Sequence, residues 1–387
     1  MTATATRAEA VRRNGGRRLV DRVARVRELG IVVALGALFG VTGAVNPSFL
    51  TYASFRDILL NSAIVAMLAV GQTLVVITRN VDLSVSSVVG LSAFGGALIL
   101  ADHPAVPIPV VIVGCVVVGA LCGAVNGLLV GAAKVPALVA TLGTLYAFRG
   151  IDYAWAGGRQ VNAADMPDSF LSLGTRSVLG VPLLALVALA VLLVVGWMLG
   201  NLRAGRELYA IGSNPEAAVL AGIRVRRRIL AAFVANGALA GLAGVMWAAR
   251  FGTVDATVAT GKELDVIAAV VVGGVAIFGG SGTVYGAALG ALLLAGITSA
   301  LAVLRVDALA QTAINGALLL AAIVLDRVLA LRVAAALRRR RFHDPAGPPD
   351  PADRAGPDNA PDHAGSDDRA DHAYRADPAS GRTADGS

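Results

Sequence analysis

The chain has 387 residues, 56% hydrophobic and 15% charged, with a formal net charge of +7 and a mean hydropathy of +0.71. Soluble domains carry about a quarter charged residues, so this composition excludes a soluble globular fold and specifies a polytopic membrane protein. Gly is abundant, at 45 residues, as where helices pack closely in lipid.

The charge is unevenly placed. Residues 1–28 hold eight Arg against Glu9, Asp21 and Glu28, a net +5, and read as a basic cytoplasmic lead. With 28 charged-rich residues before the first apolar run, a cleaved signal peptide is the weaker alternative for that run. Runs able to cross a hydrocarbon core fall at 29–45, 57–77, 83–101, 108–133, 135–155, 178–200, 229–249, 264–280, 284–304 and 308–329. The loop 201–228 carries Arg203, Arg206, Arg224, Arg226, Arg227 and Arg228 against Glu207 and Glu216, and Arg338–Arg341 follow the last run. Positive-inside counting then predicts an all-α fold of about ten transmembrane helices, some broken or re-entrant, with both termini cytoplasmic. The transmembrane domain would be 29–330. Residues 331–387 would form a tail that is first basic and then acidic: 343–387 hold ten Asp and four Arg, with few large apolar residues, a composition that predicts disorder. Arginines beside membrane segments are topological, and no nucleic-acid partner is predicted.

Between the spans, 156–177 and 250–263 read as polar outer loops. The inner loop 201–228 holds "SNPEAAVLAGI", with Ser213 or Asn214 as N-cap, Pro215 at the first helical position, Glu216 in the first turn and Gly222 as the stop. A short helix on the membrane surface either docks a partner or merely joins two spans.

Little supports chemistry on a substrate. Gly261-Lys262 is the one Gly-Lys pair and lacks the rest of a phosphate-binding loop. Cys115 and Cys122 lie seven apart in one apolar run, roughly 10 Å along a helix axis and too far for a disulfide. The four histidines, His103, His343, His363 and His372, are scattered, so no metal site is predicted. Asp57, Asp152 and Asp265 lie near span ends and Asp82 near a break. This scarcity of mid-membrane carboxylates argues against a self-energised carrier.

In "RNVDLS" (79–84) three strongly polar groups interrupt two apolar runs. A charged group at mid-bilayer costs about 2.5–3.5 kcal/mol on insertion scales. Arg79 and Asp82 avoid that at the end of a span, facing each other or other protein groups, with Asp82 or Ser84 capping the next helix. Such irregular backbone either simply separates two helices or lines a path or gate. The Gly-rich "GGVAIFGGSGTVYGAALGA" (273–291), with Gly279 and Gly280, poses the same choice. Gln72, Asn126, Thr141 and Asn236 are polar groups inside expected spans: either interhelical hydrogen bonds or path lining.

"GQTLVVITRNVDLSVSSVVGL", "NGLLVGAAKVPALVATLGTLYAFRGI", "GRELYAIGSNPEAAVLAGI" and "VVVGGVAIFGGSGTVYGAALGALLLAGI", in this order from about residue 30 to 330, resemble the permease subunits of bacterial sugar ABC importers, the family of the ribose, xylose and rhamnose permeases. The stretches "TRN", "VPALVATLGTLYAFRG" and "LRVDALAQTAINGALLLAAIVLD" are similar to rhamnose-type permeases and to those for the furanosyl signal autoinducer-2. The resemblance implies a multi-pass protein of the bacterial plasma membrane that is not itself an enzyme. It would translocate a monosaccharide, a pentose or a deoxyhexose such as rhamnose. It also implies three partners: an ATPase subunit that carries the ATP and Mg, leaving no cofactor on this chain; an extracytoplasmic sugar-binding protein; and a second permease, as homodimer or heterodimer. The segment 206–223 resembles the ATPase-coupling segment, which places Arg206, Asn214, Pro215, Glu216, Ala217, Ala218, Gly222 and Ile223 at the contact. Gln72, Asp82, Ser84, Asn126, Thr141, Asn236, Gly279 and Gly280 are the expected path or gate residues. Autoinducer-2 or branched-chain amino acids are the alternative cargoes, and an ion-coupled secondary carrier is the remaining rival. The family often has Gly-Gly where this chain has Arg79-Asn80, and the acidic tail is outside the family pattern.

Overall fold

The computed structural model describes residues 29–307 without interruption and scattered positions from there to 324. The expected basic lead (1–28) and the tail (331–387) lie outside the described residues, and the expected span 308–329 is described only in part. Twelve α-helices, a minute hairpin and short 3-10 turns at Pro47–Leu50 and Ala163–Asp165 order residues 29–303: α1 (Leu29–Val45), then α2 (Tyr52–Ile77), α3 (Val85–Asp102), α4 (Ile108–Gly131), α5 (Ala137–Ala156), α6 (Asp168–Thr175), β1 (Ser177–Val178), β2 (Val181–Pro182), α7 (Leu183–Asn201), α8 (Arg203–Ser213), α9 (Pro215–Leu220), α10 (Val225–Phe251), α11 (Lys262–Val272) and α12 (Val284–Val303). Among them six, α2, α3, α4, α7, α10 and α12, are long and apolar enough to cross a membrane.

Local chemistry sets many of the boundaries. Thr51 caps α2 by accepting from Ser54 N–H, and Thr283 caps α12 by accepting from Gly286 N–H. Pro107, Pro136, Pro167 and Pro182 stand immediately before α4, α5, α6 and α7, where a missing N–H leaves no donor unsatisfied. One expected span is shorter than its sequence pattern. α11 ends at Val272, not near 280, because Gly274, Gly279, Gly280 and Gly282 all take positive φ and turn the chain out of helix.

α2 and α4 run opposite to α3, α5 and α10, as bonds between residues far apart in the chain establish at each end. At the arginine-rich end, Arg226 donates to the carbonyls of Gly131 and Ala132, and Gly280 N–H donates to Ile77 C=O. At the opposite end, Arg250 pairs with Asp57, Arg159 with Asp102, and Tyr52 donates to Gly180 C=O. α2 and α3 form the centre: 83% and 78% of their apolar windows are buried, against 28% for α4 and 22% for α7. The outward faces of α4 and α7 are therefore the exposed apolar surface of this bundle.

α10 is the hub, packing on α4, α3 and α2, while α12 covers α2 and α11. The α4–α10 contact is close because both backbones are bare. A Cβ at Gly119 would stand 2.2 Å from the Gly237 carbonyl oxygen, one at Gly123 2.2 Å from that of Phe233, and one at Gly241 2.2 Å from that of Cys115. Gly119, Gly123, Gly127 and Gly131 recur every four residues, one stripe of small residues of the kind that brings membrane helices together. Cys115 and Cys122 are buried free thiols on α4.

Candidate functional site

The break between α2 and α3 gathers most of the expected polar residues into one buried cluster. The Asp82 carboxylate accepts from Ser84 N–H (2.9 Å), Ser84 Oγ (2.7 Å) and Asn236 Nδ2 (3.0 Å), with Asn126 Nδ2 at 3.4 Å. Asn126 also donates to Ser84 Oγ at 2.7 Å, and Thr141 Oγ1 donates to Val81 C=O at 3.2 Å. With its amide oriented to satisfy both partners, Gln72 accepts from Asp82 N–H at 3.1 Å and donates to Asp82 C=O at 3.3 Å. Residues of α2, α4, α5 and α10 thus meet on seven residues of non-helical chain. Gln72, Ser84, Asn126, Thr141 and Asn236 have no exposed surface and Asp82 has 2%, so in this conformation their polar atoms bond within the cluster, apart from Asn236 Oδ1, which has no partner. Asp82 closes an Asx-type turn onto Ser84 rather than capping the first turn of α3, whose N-cap makes no side-chain cap bond. Thr144, not anticipated, completes the cluster by donating to Asn126 Oδ1 at 2.6 Å.

Arg79 does not face Asp82. It sits at φ 66°, ending α2 in a left-handed residue, and reaches out of the cluster to α8. Its Nε donates to Gly212 C=O and its Nη2 to Ser213 C=O at 2.7 Å. Two carbonyls at the C-terminus of α8 thereby receive a cation, the favourable sign for that end of a helix. Gly279 and Gly280 lie at the same junction, with Gly280 bonded to Ile77. Tyr209 of α8 donates to Gly282 C=O at 2.8 Å. The approach is tight: a Cβ at Gly212 would stand 1.8 Å from Ile77 O. Both helix breaks, 78–84 and 273–283, are therefore tied to one end of α8.

The expected short helix follows directly. Asn214 caps α9 by accepting from Ala217 N–H at 3.0 Å, with Pro215 first and Glu216 in its first turn. Gly222, at φ 76°, ends it, with Gly222 N–H bonded to Val219 and Ile223 N–H to Ala218. Ala218 is buried, while Val219 and Leu220 are 61% and 90% exposed, so α9 presents an apolar knob. Arg206 donates to Asn201 C=O at 3.0 Å. Glu207 of α8 bridges Arg203 of the same helix and Arg228 of α10; the hydrogen bond from Arg228, then that from Arg203, hold its carboxyl below the ordinary glutamate range.

At the opposite end the two expected outer loops pair with each other. Val161 and Val254 exchange backbone bonds at 2.9 Å each way. Arg149 of α5 anchors the second loop by donating to Ala256 C=O at 2.8 Å and Val258 C=O at 2.9 Å. Asp152, 3.8 Å from Arg149, is fully buried and neither carboxylate oxygen has a hydrogen-bond partner. Beside these loops a cavity of about 510 Å³ runs between α2, α10, α11 and α12. Asp57, Asn61, Lys262 and Asp265 line its polar mouth and Ile64, Leu68 and Ala268 its apolar depth. No group of acidic, His or Cys side chains suited to a metal occurs among the described residues.

Residues 54–324 match the family of branched-chain amino acid transport system permease components. The chain belongs to that permease family. It is 40% identical over 319 residues to the autoinducer 2 import system permease protein LsrC of Enterobacter sp. (strain 638), covering 82% of this chain and 92% of the relative. The same-named protein of Klebsiella pneumoniae is 41% identical with the same coverage. That of Escherichia coli K12 is 36% identical over 317 residues, 82% of this chain and 91% of the relative. No solved structure matches. The chain is a multi-pass membrane permease of an ABC importer, and the six long apolar helices among the described residues agree with that.

Proposed function

We propose that this permease admits a small polyhydroxylated furanose-like solute of the autoinducer-2 kind into the cytoplasm, in preference to rhamnose or a pentose. The carrying observation is the 40% identity to an autoinducer 2 import permease over 92% of that protein's length. The geometry is compatible: a cavity of about 510 Å³ with hydrogen-bonding groups at its mouth suits a neutral polyol, which binds through a few well-placed polar groups.

In this reading the arginine-rich end is cytoplasmic, by the positive-inside rule, and both termini lie there. The binding protein docks on the paired loops 156–177 and 250–263. A separate ATPase grips α9 through Glu216, Ala217 and the exposed Leu220, with Arg206 nearby. When ATP closes the ATPase pair, α9 and α8 move together. Arg79 and Tyr209 carry that motion to the breaks at 78–84 and 273–283, which act as the gate. The Asp82 cluster is the pivot, because it joins four helices to the break. Solute enters along the cavity between α2, α10, α11 and α12 and passes beside a second permease chain.

The experiment is reconstitution in proteoliposomes with the ATPase, binding protein and any second permease encoded beside this chain. Uptake of labelled autoinducer-2 is measured against unlabelled rhamnose, ribose and leucine. Autoinducer-2 is expected to compete at least tenfold better than the others; leucine competing best would overturn the cargo. Glu216→Arg should leave insertion intact and uncouple hydrolysis from uptake. Unchanged uptake removes the docking assignment.

A further inference from the structure

A second cavity, of about 420 Å³, lies at the arginine-rich end, lined by Arg203, Glu207, Gly222, Arg224, Arg227 and Arg228. Four guanidiniums around one carboxylate give it a formal charge of +3. Glu207 engages Arg203 and Arg228, whereas Arg224 and Arg227, both exposed, make no ion pair among the described residues. The cavity stands where α7 leaves the membrane, since Arg203 is the second residue after α7 ends at Asn201. One turn earlier Trp197 is 59% exposed, on the same lipid-facing helix as Leu193 and Val194 at 52% and 64%. An exposed Trp at a span end marks headgroup depth, so the apolar surface of α7 ends within two residues of Arg203, which lines this cationic hollow.

We propose that the cavity binds the phosphate headgroup of an anionic phospholipid of the cytoplasmic leaflet. Arg224 and Arg227 supply the uncommitted charge and the face of α7 takes the acyl chains. Phosphate accepts several hydrogen bonds and suits planar guanidinium donors, and basic pockets between helices at the cytoplasmic side bind such headgroups. Topological arginines alone need only be near the membrane; here four line one open hollow beside Gly222, where α9 ends. An occupied site would brace the base of α9 without touching the solute path.

The test is native mass spectrometry of the purified permease in neutral detergent, titrated separately with phosphatidylglycerol and phosphatidylcholine. Wild type is expected to retain phosphatidylglycerol, and Arg224→Gln with Arg227→Gln to bind it roughly thirty-fold more weakly, from about 1 kcal/mol per arginine, with phosphatidylcholine unchanged. Arg224→Lys with Arg227→Lys, which keeps the charge, should restore binding to within a few-fold and so excludes misfolding as the cause. Arg159→Gln at the opposite end should have no effect. Equal retention by wild type and the glutamine variant overturns the proposal, as does an equal loss in Arg159→Gln. Displacement of the lipid by millimolar inorganic phosphate or glycerol phosphate would identify a free phosphate as the ligand, and displacement by the ATPase an acidic protein surface. Either result also overturns the lipid assignment.

Discussion

Replacing Arg79 separates two roles that meet in one residue. Its backbone is left-handed at φ 66°, a conformation that costs a non-Gly residue about 1–2 kcal/mol. Its side chain offsets that cost by two bonds to the Gly212 and Ser213 carbonyls. Buried, each charged bond would contribute about 1.5–3 kcal/mol; Arg79 is exposed, so about 1 kcal/mol each is the working figure. Arg79→Ala loses both bonds and keeps the strain, for about 2 kcal/mol. Arg79→Gly loses the same bonds and regains about 1 kcal/mol of strain, for a net loss of about 1 kcal/mol, which lowers the melting temperature of a chain this long by roughly 1–2 °C. The order of stability is therefore wild type, Gly, Ala. Function should follow the tie and not the strain: both variants are expected to keep ATP hydrolysis while uptake per ATP falls several-fold. The assays are thermal unfolding in detergent and coupled hydrolysis and uptake in proteoliposomes. An Ala variant more stable than Gly would refute the backbone argument. Wild-type coupling in both would refute transmission through Arg79.

At the cluster, Asp82→Ala leaves the Ser84 and Asn236 donors buried without an acceptor, at about 1–3 kcal/mol each. Asp82→Asn retains one oxygen for Ser84, and a half-turn of the Asn236 amide, which now presents Nδ2 to this position, lets the new amide donate to its Oδ1; thermal unfolding should rank Asn above Ala. In the α4–α10 contact, Gly237→Leu puts a Cβ 2.2 Å from Gly119 O and 2.9 Å from Gly123 Cα. It should abolish monodisperse protein on gel filtration, whereas Gly114→Leu, with nothing within 4 Å, should not. Glu207 supplies a pH signature. Its folded pKa is lowered by Arg228 and Arg203, so its stabilisation is present above the ordinary glutamate pKa and is lost as pH falls through the folded value. Melting temperatures measured downward from pH 6 should drop more steeply in wild type than in Glu207→Gln; parallel curves would show that the triad contributes nothing.

Features that depend on neighbours in sequence were legible. The cap at Asn214, Pro215 at the first position, and the stop at Gly222 of α9 are local hydrogen-bond chemistry. The helix break at 79–84 follows from placing charge between apolar runs, and Gln72, Asn126, Thr141 and Asn236 stand out as polar residues in apolar company. Their partners were not legible. Arg79 is as close in sequence to Asp82 as an ion pair needs, yet it bonds to carbonyls 133 and 134 residues away, because a left-handed residue at the end of α2 points its side chain at α8. The glycine stripe on α4 repeats every four residues in plain view, but that it meets α10 is a matter of which helices the fold places side by side. Thr144 and Arg149 gave no signal beyond being polar residues in a span.

Sequence by itself determined the solvent this chain folds in, the places where helices must start and stop, and which residues are too polar to face lipid. Each of those is an energy of one residue or one turn against water or hydrocarbon. Tertiary structure alone decided that one buried polar cluster around Asp82 would hold four helices to a break, and that both breaks would be tied to α8. It also decided that four arginines from two separate stretches would share one hollow. Those are energies between groups far apart in the chain, and they exist only once close-packed glycine backbones have brought the helices together.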